Sequence, residues 1–323
     1  MQKSRLGSSP LAVSKLSFGT WLTVAGGIER PQAIRCIHAA LDCGINLFDT
    51  ANHYGAGEAE RVLGEALKRK PRESFLIATK LYFPVGNEPD HGLSAKQVEK
   101  QVECSLRRLK METIDLYQCH RYDPDTPLEE TLVALDKAIR DGKVRSFGIS
   151  EWSAEQIHEA TDLAGAMHLT GLASVQSQYS LLWRKPETAV FRACSENALG
   201  FLAYSPLAHG VLSGKYEPGR LPPTESRAAS SEMNKYMETS GRHYRSDNVL
   251  QAVTGLKPIA NDLGLTMAQL ALAWILNQGA VTSAIIGASR PEQIIENTRA
   301  AGISLPVDLM AQIGSVVEPA AVY

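Results

Sequence analysis

Ile45-Asn46-Leu47-Phe48-Asp49-Thr50-Ala51-Asn52-His53-Tyr54-Gly55-Ala56-Gly57 is the stretch on which the fold is decided. The apolar run from Ile45 to Phe48 has the length and composition of a short buried strand. Gly55-Ala56-Gly57 breaks the chain, and a helical pattern then runs from Glu58 to Lys70. Strand, loop and helix in immediate succession are half of a βαβ unit. Asp49 ends the strand, where an ionised carboxylate needs a partner if it is buried. Tyr54 follows in the loop. An acid at a strand end with a phenol just beyond it marks a candidate site.

The same rhythm continues in both directions. Strands are expected at 16–20, 45–49, 75–79, 114–119, 144–149, 173–176, 201–204 and 283–286. Helical patterns fall between them: from Pro31 to the stop at Gly44, then 58–70, 95–109, 128–141, 154–164, 187–198, 248–263, 266–277 and 291–300. Eight strands alternating with helices predict an α/β fold of one domain over 1–323, a (β/α)8 TIM barrel with a parallel sheet. The alternative, an open doubly wound sheet, usually has a glycine-rich phosphate loop after its first strand, and Thr20-Trp21-Leu22-Thr23-Val24-Ala25-Gly26-Gly27 does not match one. Residues 3–14 read as a β-hairpin turning at Gly7-Ser8-Ser9-Pro10, outside the repeat and placed to plug the barrel bottom. A long polar loop, 205–247, follows strand seven.

Composition narrows the function classes. The 323 residues are 44% hydrophobic and 21% charged with a net charge of -2, so no basic footprint for nucleic acid or for a membrane surface is expected. The start, Met1-Gln2-Lys3-Ser4-Arg5-Leu6, has no apolar leader, and no run of eighteen apolar residues occurs, so neither secretion nor membrane insertion is expected. Five scattered cysteines (36, 43, 104, 119, 194) without a C-x-x-C read as reduced thiols of a cytoplasmic protein. The eight histidines are dispersed, and only His120 ends a strand, so no metal cluster is expected.

In a barrel of this kind the strand ends converge on one mouth. The polar residues there are Asp49, Lys80, His120, Ser150, Gln176 and Tyr204, with Tyr54 entering from its loop. Each alone has a plain structural use as a cap, a solvated end or a packing residue. Together they make a coherent chemistry. A lysine paired with a buried aspartate stays charged, and a cation near a phenol stabilises phenolate. Lowering a tyrosine by two or three units corresponds to about 3–4 kcal/mol and suits it to act as a general acid near neutrality. The histidine is placed to orient a carbonyl. Trp21, Tyr82, Phe83, Trp152 and Trp183 fall in loops after strands, as candidates for an apolar substrate pocket or for packing.

End to end, the chain resembles the aldo-keto reductases. The motifs are Phe18-Gly19-Thr20-Trp21, Phe48-Asp49-Thr50-Ala51-Asn52-His53-Tyr54-Gly55, Ala78-Thr79-Lys80, Asp115-Leu116-Tyr117-Gln118-Cys119-His120 and Gly148-Ile149-Ser150. Tyr204-Ser205-Pro206-Leu207, Gly210-Val211-Leu212-Ser213-Gly214-Lys215-Tyr216 and Ile286-Gly287-Ala288-Ser289-Arg290-Pro291-Glu292-Gln293 complete the set and are most similar to the branch containing potassium-channel β-subunits and their bacterial relatives. The resemblance implies NADPH-dependent reduction of an aldehyde or ketone, with Tyr54 as proton donor, Lys80 and Asp49 tuning it, and His120 positioning the carbonyl. It implies that Ser150 and Gln176 hold the carboxamide and Tyr204 stacks on the nicotinamide. Gly19, Thr20, Trp21, Asp49, Ser205, Pro206, Leu207, Gly210, Ser213 and Lys215 are implied along the cofactor, with Gly287, Ser289, Arg290, Gln293, Glu296 and Asn297 at its adenosine end. Ser289 and Arg290 precede a helix start, where free backbone N–H groups favour an anion, which favours NADPH over NADH.

Two departures stand out. Glu151 follows Ser150 where many relatives have asparagine, and a carboxylate cannot donate to a carboxamide. The channel β-subunit branch tends to have asparagine at the position of His120, so the histidine favours a working reductase over a slow regulatory module docked on a partner. The implied partner is a small carbonyl compound. A homo-oligomer is compatible with the sequence. Residues 84–92 and 217–247 are expected to be mobile, the latter folding over the cofactor.

Overall fold

The unit expected at residues 45–70 recurs around a closed ring in the computed structural model, which describes residues 1–21, 23–86, 91–230, 233–238 and 243–323. Strands β1 (Lys3–Arg5) and β2 (Ala12–Ser14) form the antiparallel hairpin. The barrel strands are β3 (Leu16–Gly19), β4 (Leu47–Asp49), β5 (Leu76–Leu81), β6 (Ile114–Cys119), β7 (Val144–Ser150), β8 (Ser174–Gln178), β9 (Gly200–Tyr204) and β10 (Ser283–Ile286). Each pairs in parallel with the next, and β10 closes on β3. This is the (β/α)8 TIM barrel.

The surrounding helices are α1 (Arg30–Asp42), α2 (Glu58–Leu67), α3 (Ala95–Leu109), α4 (Leu128–Arg140), α5 (Ala154–Ala166), α6 (Val190–Glu196), α7 (Asp247–Thr254), α8 (Lys257–Asp262), α9 (Met267–Leu276), α10 (Pro291–Thr298) and α11 (Val307–Val317). Their starts follow local chemistry. Ser153 with Gln156 and Thr266 with Gln269 form reciprocal capping boxes that begin α5 and α9. Among the described residues no single helix is long and apolar enough to cross a membrane.

Three helix expectations need correction. The pattern at 187–198 yields only α6, preceded by a 3-10 turn at Lys185–Glu187. The pattern at 248–263 splits into α7 and α8, because Pro258 has no N–H to continue the ladder. Helix α11 was not foreseen, although Pro306 sits at its N-cap and Leu309, Met310, Ile313 and Val317 recur at helical spacing. The expected mobility of 84–92 and 217–247 falls in part on 87–90, 231–232 and 239–242, outside the described residues.

The hairpin plugs the barrel bottom as expected. Leu6, Leu11 and Val13 pack with Leu47, Ala78, Leu116, Leu202 and Ile285, which point inward from five strands and seal that end with hydrocarbon. Gly7 makes the turn at φ +57°, and a Cβ there would stand 2.6 Å from Ala173 O and from Gly200 N. One alternation further up each strand, the inward positions become polar. The register pairs Gly19 with Asp49, Lys80 with Gln118, and Ser150 with Gln176, which places the candidate residues in one layer at the carboxyl ends.

Candidate active site

Above that polar layer opens a cavity of about 820 Å³. Its floor is an ion pair. Lys80 is not a strand-end residue as expected; it lies within β5, fully buried, and its Nζ donates to Asp49 Oδ1 at 2.6 Å and to the Thr50 carbonyl at 2.9 Å. The other Asp49 oxygen accepts from Gln176 Nε2 at 2.8 Å and Gln118 Nε2 at 3.3 Å. Both charges are therefore satisfied where neither could stand alone. Behind the strand, Thr79 Oγ1 donates to Glu60 at 2.6 Å, and Glu60 is paired with Arg108 at 2.5 Å. That second buried pair holds the outer face of β5 while Lys80 points inward.

Tyr54 closes over this floor, its hydroxyl 3.5 Å from Lys80 Nζ. His120 faces it with ring centroids 5.8 Å apart. Burial, the nearby Lys80 charge and His53 hold His120 well below the usual imidazole range, so it is neutral at pH 7. Its Nδ1 has no hydrogen-bond partner among the described residues.

The lowered phenol expected from the sequence is not found. Burial and the Asp49 charge push the Tyr54 hydroxyl well above its ordinary value, opposed by Arg121. The reason is geometric: Lys80 spends its charge on Asp49 at 2.6 Å, and the phenol, further off, feels the carboxylate as well.

Most of the other candidate residues line the cavity. Gly19, Trp21, Ser150, Gln176, Tyr204, Ser205, Pro206, Leu207, Gly210, Ser213, Lys215, Gly287, Ser289, Arg290, Gln293, Glu296 and Asn297 all line it. Thr20 does not reach it; its hydroxyl donates to the Asp49 carbonyl at 3.1 Å. Of the aromatic candidates, Trp21 and Phe83 line the cavity and Tyr82, Trp152 and Trp183 do not. Tyr82 packs edge-on against Phe83, Trp152 is buried against Tyr122, and Trp183 bridges to Ser180 and Val322. Glu151 turns away at φ +60° and accepts the Gln178 backbone N–H at 2.7 Å. Its missing donor therefore costs the cavity nothing.

Sequence reasoning assigned no role to His53, Arg121, His209, Arg227 or Tyr236, all of which line the cavity. His53 stands edge-on to Tyr54 at 4.8 Å and 5.0 Å from His120, and burial with the Lys80 charge lowers it to about 4. Arg227 comes from the long loop, where no periodicity singled it out. With Lys215 and Arg290 it makes a cluster of like charge, and burial together with those two guanidinium groups lowers the Lys215 ammonium. None of the three has an ion pair among the described residues. Cations that no carboxylate pairs with among the described residues are a place for a polyanion, and Ser289 beside Arg290 at the start of α10 extends it.

The barrel, the buried aspartate–lysine pair under a tyrosine and a histidine, and the cationic cluster in the cavity agree with a sequence match that covers residues 15–318. The chain belongs to the Aldo/keto reductase family. It is similar to a probable voltage-gated potassium channel subunit beta of Arabidopsis thaliana, 40% identical over 306 residues, covering 94% of this chain and 92% of that protein. It is also similar to a probable voltage-gated potassium channel subunit beta of Oryza sativa subsp. japonica, 38% identical over 323 residues, covering 98% and 97%. Membership of this aldo/keto reductase family implies carbonyl reduction with a nicotinamide cofactor.

Proposed function

We propose that this chain is an NADPH-dependent reductase of aldehydes or ketones. The observation that carries the reading is the convergence of Tyr54, Lys80, Asp49 and His120 at the floor of one cavity. The residues present fit the cofactor: a cavity of about 820 Å³, a polar floor with Ser150 and Gln176 beside Asp49, and the Lys215, Arg227 and Arg290 cluster for its phosphates. When bound, NADPH supplies the hydride.

The chain supplies the proton and the geometry. His120 donates a hydrogen bond to the carbonyl oxygen and fixes its position. Tyr54, fully protonated at neutral pH, gives its hydroxyl proton to the same oxygen as negative charge develops there. The resulting phenolate is stabilised by Lys80, which Asp49 keeps charged and aimed. Gln176 and Gln118 hold Asp49 in turn, so the pair cannot swing. Trp21, Phe83 and Tyr236 exclude water from the reacting end.

A second reading, a slow NADP(H)-binding module that regulates a partner protein, is favoured by the names of the two plant relatives. Aldehyde-dependent loss of NADPH absorbance over a panel of glyoxals, aromatic aldehydes, sugars and steroidal ketones decides between them. Sustained turnover of any member supports the reductase. Tight NADPH binding with no turnover supports the module.

A further inference from the structure

The cavity carries a second, separate positive charge at its reacting end. Arg121 directly follows His120 beyond β6 and lines the cavity together with Phe83, His53 and Tyr54. One of its terminal nitrogens, Nη1, donates to the His120 carbonyl at 2.5 Å, and the guanidinium carbon stands 5.6 Å from the Phe83 ring centroid. Those two contacts hold the plane of the group and leave Nε and the other terminal nitrogen, a two-donor edge, uncommitted among the described residues. No carboxylate among those residues pairs with it. The nearest acid along the chain, Asp123, is spent on the Leu93 and Asp125 amides and the Thr126 hydroxyl. The charge acts on the site: Arg121 opposes proton binding at His53 and His120 and favours ionisation of Tyr54.

A guanidinium held half-buried against an aromatic wall loses water when a substrate enters, and only an anionic substrate compensates it. A single cation with a two-donor edge matches a planar monoanion. We infer that the substrate carries a carboxylate near its carbonyl, and that Arg121 selects it by a bidentate pair. The inference rests on the reductase reading for the identity of the carbonyl end. It names a substrate class, oxo-acids and carboxylated aldehydes, in which the Tyr54–His120 pair takes the carbonyl and Arg121 the acid.

The test compares 4-carboxybenzaldehyde with its methyl ester, and succinic semialdehyde with its methyl ester, at low ionic strength. Wild type should favour each acid in kcat/KM by about tenfold to a hundredfold, the range of a charge-assisted pair. Arg121→Met should bring the ratio close to one, and Arg121→Lys should restore part of it; NADPH binding and thermal melting confirm that both variants fold. A ratio near one in wild type, or a ratio unchanged in Arg121→Met, overturns the inference. Binding of 4-(hydroxymethyl)benzoate and its methyl ester, alcohols that cannot react with the reduced cofactor, to the NADPH-loaded protein, read by tryptophan fluorescence, separates the two possible failures. Selective binding that Arg121→Met abolishes, with no turnover of any aldehyde, sinks the reductase reading and keeps the carboxylate site. Equal binding of acid and ester sinks the carboxylate site, whatever the turnover.

Discussion

Lys80 and Asp49 neutralise each other at 2.6 Å, both shut off from water, and the tyrosine above them borrows what field is left. Breaking such a pair from one side leaves a buried charge alone, which costs about 3–5 kcal/mol. Lys80→Met and Asp49→Asn should therefore each lower the urea midpoint sharply. The double variant should lose much less than the sum of the two, since neither charge is then stranded. Small, additive losses would mean that the pair is hydrated in solution.

Tyr54 stands differently. Among the described residues its hydroxyl has one long contact, 3.5 Å to Lys80, so removing it strands nothing there. Tyr54→Phe should lower turnover by about 10²- to 10⁴-fold, the usual worth of a positioned proton donor. NADPH affinity, read by fluorescence quenching, should stay near wild type. A parallel loss of binding would make Tyr54 a structural residue instead.

These two contrasting outcomes reflect what could be read from the chain and what could not. Asp49, Lys80 and His120 were legible because each follows or closes an apolar run that reads as a strand, and the strand ends of a barrel converge on one mouth. The hairpin plug was legible because residues 3–14 fit no βα repeat. Arg227 was not, since residues 205–247 have no period against which a cation stands out. The sign of the Tyr54 shift was also out of reach: it depends on whether Lys80 lies nearer to the carboxylate or to the phenol, and sequence spacing does not encode that ångström. Arg121 was hidden for the opposite reason, being the residue after a more conspicuous histidine.

Arg290 occupies the N-cap of α10, and with Lys215 and Arg227 it belongs to the cationic cluster that lines the cavity, without an ion pair among the described residues. A phosphate on the ribose of the cofactor's adenosine half is present in NADPH and absent from NADH. Arg290→Ala should therefore weaken NADPH by about tenfold or more, the scale of one charged hydrogen bond, while NADH changes little. Dissociation constants for the two cofactors in wild type and variant check it. Equal losses would move Arg290 off that phosphate.

His53 gives the site a pH signature that belongs to the fold and needs no substrate. In the native state burial and the Lys80 charge hold it at about 4, whereas an unfolded histidine takes its proton near 6.5. Between those values the unfolded chain binds the extra proton and the folded chain does not, so stability must fall as pH falls through this window. The interval is worth about 3 kcal/mol when fully traversed. Asp136, held below the ordinary carboxylate range by its bonds to Thr170 against the effect of burial, loses its contribution only at more acidic pH and does not overlap most of the window. Urea unfolding at pH 7.5, 6.5, 5.5 and 4.5 should show the decline in wild type. His53→Phe keeps a ring against Tyr54 and Phe83 but cannot titrate, and its stability should depend less on pH over the same range. Parallel curves for the two proteins would show that His53 is protonated in the native state, and the low value read from its surroundings would be wrong.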